Sequence, residues 1–220
     1  MEALRSLRLA AEFSDRPVDE AEVLEVLEAV RWTPSAANTQ PWEVVVVRGE
    51  GGRGAVSQAA LDPLLRADGE LKPSWPQQAP VLLVFCADVL RVKCRFGEAG
   101  LDIARQDVAA AALAAGLAAG ELGLAGVFVR EVDGAALARS LGLPPGLEPV
   151  GVLALGHPAS PPSRPPVLEV AAFTHMERWG GGRMPGGPAP EGASGCPAGA
   201  AGAGAARAAG GAAVPGKGPA

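Results

Sequence analysis

Little in this sequence is suited to gripping a metal or to cross-linking a fold. Of 220 residues, three are cysteine and two are histidine. Cys86, Cys94 and Cys196 show no C-x-x-C spacing, which argues against a disulfide framework and against a thiolate zinc site. His157 and His175 are too few and too isolated for a histidine-rich centre, so no metal is expected. No segment reaches the roughly 18 consecutive apolar residues of a membrane span. Glu2, Arg5 and Arg8 interrupt the N-terminus where a signal peptide would carry its apolar core. A block of basic charge is also missing: 19 Lys and Arg against 24 Asp and Glu give a formal net charge of −5, spread along the chain. That distribution points away from nucleic acid. The expectation is a soluble cytoplasmic protein. Neither G-x-G-x-x-G nor G-x-x-x-x-G-K-S/T falls between a strand and a helix, which disfavours Rossmann and P-loop nucleotide folds.

What is present reads as one domain over residues 1–180, followed by a tail. From Gly181 onward the chain is Gly, Ala, Pro and a few polar residues without periodicity, the composition of a disordered segment over 181–220. Alanine inflates the hydrophobic content of 48%, but Val44 to Val47 and Val81 to Phe85 are genuine core material. Leu4, Leu7 and Ala11 are at helical spacing over residues 2–11. Asp19 and Glu22 have capping-box spacing ahead of Val23, Val26, Leu27 and Val30, and Thr33-Pro34 stops that helix. Glu43 to Arg48 and Val81 to Ala87 read as buried strands. Residues 49–80, with a possible helix from Ala55 to Arg66, read as the loosest part of the body. An alanine-dominated helix is expected from Asp107 to Leu122, a strand from Val127 to Val129, a helix from Asp133 to Gly142, and a last strand from Val150 to Leu155. Pattern alone gives α+β or mixed α/β.

One segment carries chemistry. In WTPSAANTQPWEVVVV, Trp32 to Val47, a helix stops at Pro34, small and amide residues follow, and Pro41-Trp42 leads into a strand. Ser35 offers a hydroxyl, and Asn38 and Gln40 offer both donors and acceptors. Ala36 and Ala37 permit close approach of a flat ligand whose heteroatom edge the polar groups would meet. Taken alone, the same residues also describe a common turn that merely ends a helix and starts a strand.

The order P-S-x-x-N-x-Q-P-W followed by valines resembles the flavin loop of the nitroreductase family. Further segments resemble that family in the same order: Phe13 to Trp32, the strand in QQAPVLLVFCAD, the helix and strand in QDVAAAALAAGLAAGELGLAGVFV, the strand in LGLPPGLEPVGVLALGHP, and THMERWG ending at Gly180. The resemblance implies an α+β fold with a central, mostly antiparallel sheet flanked by helices in an interlocked homodimer. It also implies FMN as cofactor, NAD(P)H as donor, and a small nitroaromatic, quinone or other conjugated acceptor. Since the flavin performs the chemistry, no catalytic triad or paired carboxylates are required.

The family binds the flavin phosphate with an N-terminal R-x-S-x-R or R-R-S-x-R cluster and a C-terminal arginine before a proline. A gapless match from Phe13 leaves Leu7, Leu9 and Ala11 where polar groups are expected and keeps Arg8. The alternative takes Arg5, Ser6 and Arg8 as the cluster, with about three extra residues, close to one helical turn, before Phe13. Arg164 stands where the C-terminal arginine is expected. The cofactor-binding set implied is therefore Arg5, Ser6, Arg8, Pro34, Ser35, Ala36, Asn38, Gln40 and Arg164. Asp107 matches the family too, although an aspartate at a helix start also serves as an N-terminal dipole partner. Arg130-Glu131 stands near a family glycine whose backbone approaches the flavin, and Leu113-Ala114 replaces a common amide pair. These departures keep open a second reading, a dimeric binding or structural protein with weakened or lost FMN.

Overall fold

The computed structural model describes residues 4, 12–60, 78–160 and 167–182. They group into two compact units divided between residues 164 and 165. The helix expected over 2–11, apart from Leu4, and the tail expected over 181–220, apart from Gly181 and Gly182, lie outside the described residues.

In the first unit, helix α1 spans Glu20–Arg31. Its start is local chemistry: the Asp19 N–H donates to Glu22 Oε2 at 2.7 Å, the return half of a capping box. Val23, Val26 and Val30 recur at helical spacing and are buried. Strand β1 is Trp42–Val47, helix α2 Glu50–Ala59, and strand β2 Val81–Asp88. Helix α3, Val89–Phe96, begins directly on the Asp88 cap. A 3-10 turn at Gly97–Ala99 leads to the long helix α4, Gly100–Glu121. Strand β3 is Ala125–Val129, helix α5 Gly134–Leu141, and strand β4 Leu147–Gly156. Helix α5 has the caps its sequence announced: Asp133 Oδ1 accepts from the Ala136 N–H at 2.9 Å, and Gly142 closes it at φ 64°.

The strands form one sheet in the order β1-β2-β4-β3 with every pairing antiparallel, as expected for an α+β fold. Side-chain alternation gives it two buried faces. Val81, Leu83, Phe85, Leu153 and Leu155 pack with α1 and α4, whereas Leu82, Val84, Cys86, Val152 and Ala154 pack with residues of α2 and α5. Covering on both faces explains why β2 reads as an uninterrupted apolar run. Helix α4 meets the sheet through Ala104, Val108, Ala111, Ala115 and Ala119, all at 0% exposure, so small side chains let its backbone lie close to the strands. Gly151 makes a comparable approach: a Cβ there would sit 2.6 Å from the Val129 carbonyl oxygen and 2.7 Å from the Phe128 ring.

Three expectations are corrected. Helix α4 begins at Gly100, ahead of Asp107: its N-cap is Ala99, which has no side-chain cap to mark the start, so the first capping-type residue beside the alanine run stood in for it. The helix expected from Ala55 to Arg66 runs instead from Glu50 to Ala59, and residues 61–77 lie outside the described residues. Strand β1 is an edge strand of the described sheet, and of its residues only Val47 is fully buried. No helix among the described residues is long and apolar enough to cross a membrane.

Among the described residues of the second unit is one turn of helix, α6, Val170–Phe173. Beyond it the Gly180 N–H donates to His175 Nδ1 at 3.1 Å, and the His175 ring lies 4.2 Å from that of Trp179.

Candidate functional site

The start of β1, the end of β2 and the start of β4 lie at one level of the sheet, since Trp42 pairs with Ala87 and Ala87 with Glu148. The segment from Pro34 to Pro41 leads into β1 at that end. It contains a 3-10 turn at Ala36–Asn38 with Ser35 as its cap residue. Ala37, Asn38 and Gln40 have φ of 48°, 56° and 46°. Each left-handed L-residue costs about 1–2 kcal/mol, with asparagine the most tolerant, so something must hold this backbone.

Hydrogen bonds from several directions do so. The Ala36 N–H donates to Asp107 Oδ2 on α4 at 3.0 Å. Inside the turn, the Gln40 N–H donates to Ser35 Oγ at 2.9 Å, Thr39 Oγ1 to the Ala36 carbonyl at 3.0 Å, and Gln40 Nε2 to Asn38 Oδ1 at 3.1 Å. From α3, Arg91 Nη1 donates to the Gln40 carbonyl at 2.5 Å while its Nη2 meets Glu43 Oε1 at 2.6 Å. The Asp88 N–H donates to the Pro41 carbonyl at 2.7 Å. A hydrogen bond to a charged group contributes about 1.5–3 kcal/mol when shielded. Arg91 is 40% exposed, so its share is smaller, yet the bonds together are of the size needed to offset three left-handed residues.

Ser35, Ala36, Asn38 and Gln40 are therefore brought into one turn, with Pro34 at its entrance. Pro34, Ala37, Asn38 and Gln40 face solvent, and Ser35 and Ala36 are half-buried. Asn38 Nδ2 and Gln40 Oε1 bond to no other described residue. Exposed amide groups are thus available in the same turn as two alanines, the residue types a heteroaromatic ring with a polar edge could meet. Arg5, Ser6, Arg8 and Arg164 lie outside the described residues.

Asp107 belongs to the site for a reason its expected position concealed. It sits well inside α4 and holds the loop through Ala36, so the role of dipole partner at a helix start does not apply. Arg91 was missed altogether. The available signal was Asp88 at a strand end followed three residues later by an arginine able to reach back. Arg130 and Glu131 are exposed in the link from β3 to α5. His157 is buried, with Nε2 3.6 Å from Glu22 Oε1. Cys86 is 0% exposed; burial, and secondarily the negative charge of Glu43, push its thiol up from 9.0 to about 11, so it is no nucleophile at neutral pH.

Comparison with known proteins places the chain in a family. The profile of the nitroreductase family matches residues 5–157. The NAD(P)H FMN reductase of Bacillus subtilis is 30% identical over 195 residues, covering 81% of this chain and 74% of its own. The structure of the hypothetical oxidoreductase YcnD from the same organism superposes with a TM-score of 0.69 at 29% identity, over 81% of this chain and 74% of that one. The NADPH:FMN oxidoreductase from Vibrio harveyi, at 23% identity, shares the fold with a TM-score of 0.68 over 80% of this chain and 76% of its own. A matching profile over most of the body, together with a relative of this similarity, makes the chain a member of the nitroreductase family.

Proposed function

We propose that the protein is an FMN-dependent oxidoreductase that takes reducing equivalents from NAD(P)H and delivers them to a small nitroaromatic, quinone or other conjugated acceptor, working as a homodimer. The observation that carries this reading is the Pro34 to Trp42 loop, locked in a left-handed conformation with amide groups turned outward. Family membership and the similarity to an FMN reductase using NAD(P)H support the cofactor and the donor.

Bound FMN would supply the redox chemistry, accepting hydride from the nicotinamide and passing electrons on. The chain's residues then have the tasks of binding and orientation. Asn38 and Gln40 would offer a donor and an acceptor to the polar edge of the ring system, where hydrogen bonds stabilise the charge that reduction builds. Ala36 and Ala37 leave room for the ring to approach the backbone. Asp107 holds the Ala36 N–H and so sets the depth of the loop against α4. The phosphate, which carries about two negative charges, requires cations. Arg5, Arg8 and Arg164, with Ser6, are the residues proposed for it.

The test is the absorption spectrum of purified protein before and after addition of FMN and gel filtration, with sedimentation velocity on the same sample. Retained flavin bands and a dimer are the expected result. A colourless protein that passes through the column free of added FMN would refute the reading.

A further inference from the structure

We propose that Arg91 is a positioning residue for the flavin: it touches no ring atom, but sets the backbone conformation in which Asn38 and Gln40 are displayed. The inference rests on the FMN reading above and adds to it the element that shapes the loop. Arg91 is itself fixed before it reaches the loop. Its N–H bonds Asp88 Oδ1 at 3.0 Å and its Nε lies 3.2 Å from Asp88 Oδ2, so one carboxylate grips both backbone and side chain. That leaves the two Nη groups aimed forward. One donates to the carbonyl of Gln40, whose φ is 46°, and the other to Glu43 at the start of β1. A planar fork fits this pair of acceptors set on a loop and on the strand it enters, whereas a lysine ammonium is a single point charge on a flexible stem.

Two features separate positioning from general structural support. First, the partners of the Arg91 guanidinium are all at this end of the sheet, and Gln40, Glu43 and Arg91 itself are exposed rather than part of either core cluster. Removing the fork therefore releases the loop without opening the core. Secondly, Asp88 still caps α3 and its N–H still holds the Pro41 carbonyl when the guanidinium is gone, so neither the helix nor the strand end depends on it. What is lost is the anchor at Gln40, the left-handed residue nearest to β1.

Wild type, Arg91→Met, Arg91→Lys and Glu43→Gln are each stripped of flavin, and three quantities are measured: the thermal midpoint, hydrogen exchange of the Asn38 to Gln40 amides, and FMN affinity by fluorescence quenching. Arg91→Met is expected to keep the midpoint close to wild type, to speed exchange in the loop, and to weaken FMN on the order of tenfold, the size of one charge-assisted bond. Arg91→Lys should recover part of that affinity, and Glu43→Gln should change it little. Unchanged loop exchange with FMN affinity within about twofold of wild type overturns the inference alone. So does a large fall in midpoint that Lys does not relieve, since it makes Arg91 a stability residue. If wild type itself shows no saturable FMN binding, the functional reading falls, and this role falls with it.

Discussion

At the scale of single residues, the site is a set of small polar groups whose value lies in how they are held. Asp107 is the clearest case, because its carboxylate meets a backbone N–H 71 positions away in sequence. Asp107→Ala is expected to cost on the order of 1–2 kcal/mol in denaturant unfolding, with Asp107→Asn milder because an amide oxygen still accepts from Ala36. Ser35, Asn38 and Gln40 were legible because the turn that joins them is short. Asp107 was visible but misread, since its meaning depends on where an alanine helix begins. Arg91 was missed, as its contact with Gln40 spans 51 positions and the local Asp88-to-Arg91 spacing says nothing of which loop the arginine meets. Cys86 gives a second test at this scale. With its folded-state pKa raised to about 11, it remains a neutral thiol at pH 8, so alkylation followed by peptide mapping should label exposed Cys94 and spare Cys86. The sign of the linkage is fixed by the same shift. The stability tied to the neutral thiol is fully present below 9.0 and is lost as pH rises toward about 11, where the folded state too must ionise.

The secondary-structure elements divide by how local their causes are. The caps of α1 and α5 depend on groups three residues apart, and the sequence displayed both. The rank of β1 in the sheet depends on which strands pair, and a valine run cannot distinguish an edge from a centre. Helix α4 shows a related limit: it starts behind Ala99, which offers no side-chain cap, so nothing local marks the boundary. The closeness of packing between elements is testable at Gly151, where β4 passes beneath Phe128 and the β3 carbonyls. Gly151→Ala places a methyl against a backbone oxygen that cannot yield, and is expected to destabilise by about 1–3 kcal/mol in chemical denaturation.

For the molecule as a whole, the sheet with a helical layer on each face supplies the rigid frame, and the loop at one end of it is the proposed recognition surface. Several large apolar side chains remain on the outside of the first unit, among them Leu24 at 60%, Trp32 at 75% and Leu113 at 50% exposure. Burial of such residues is what an obligate homodimer requires. If the proposed dimer buries this surface, Leu113→Glu on α4 is expected to shift the sedimentation profile from dimer toward monomer. The central claim, that the chain binds FMN and reduces it with a nicotinamide, meets its most direct measurement in anaerobic stopped-flow mixing of the FMN-loaded protein with NADH and, separately, with NADPH. The account predicts that at least one of them bleaches the flavin absorption in a saturable, concentration-dependent phase; a flavin that stays oxidised with both would contradict it.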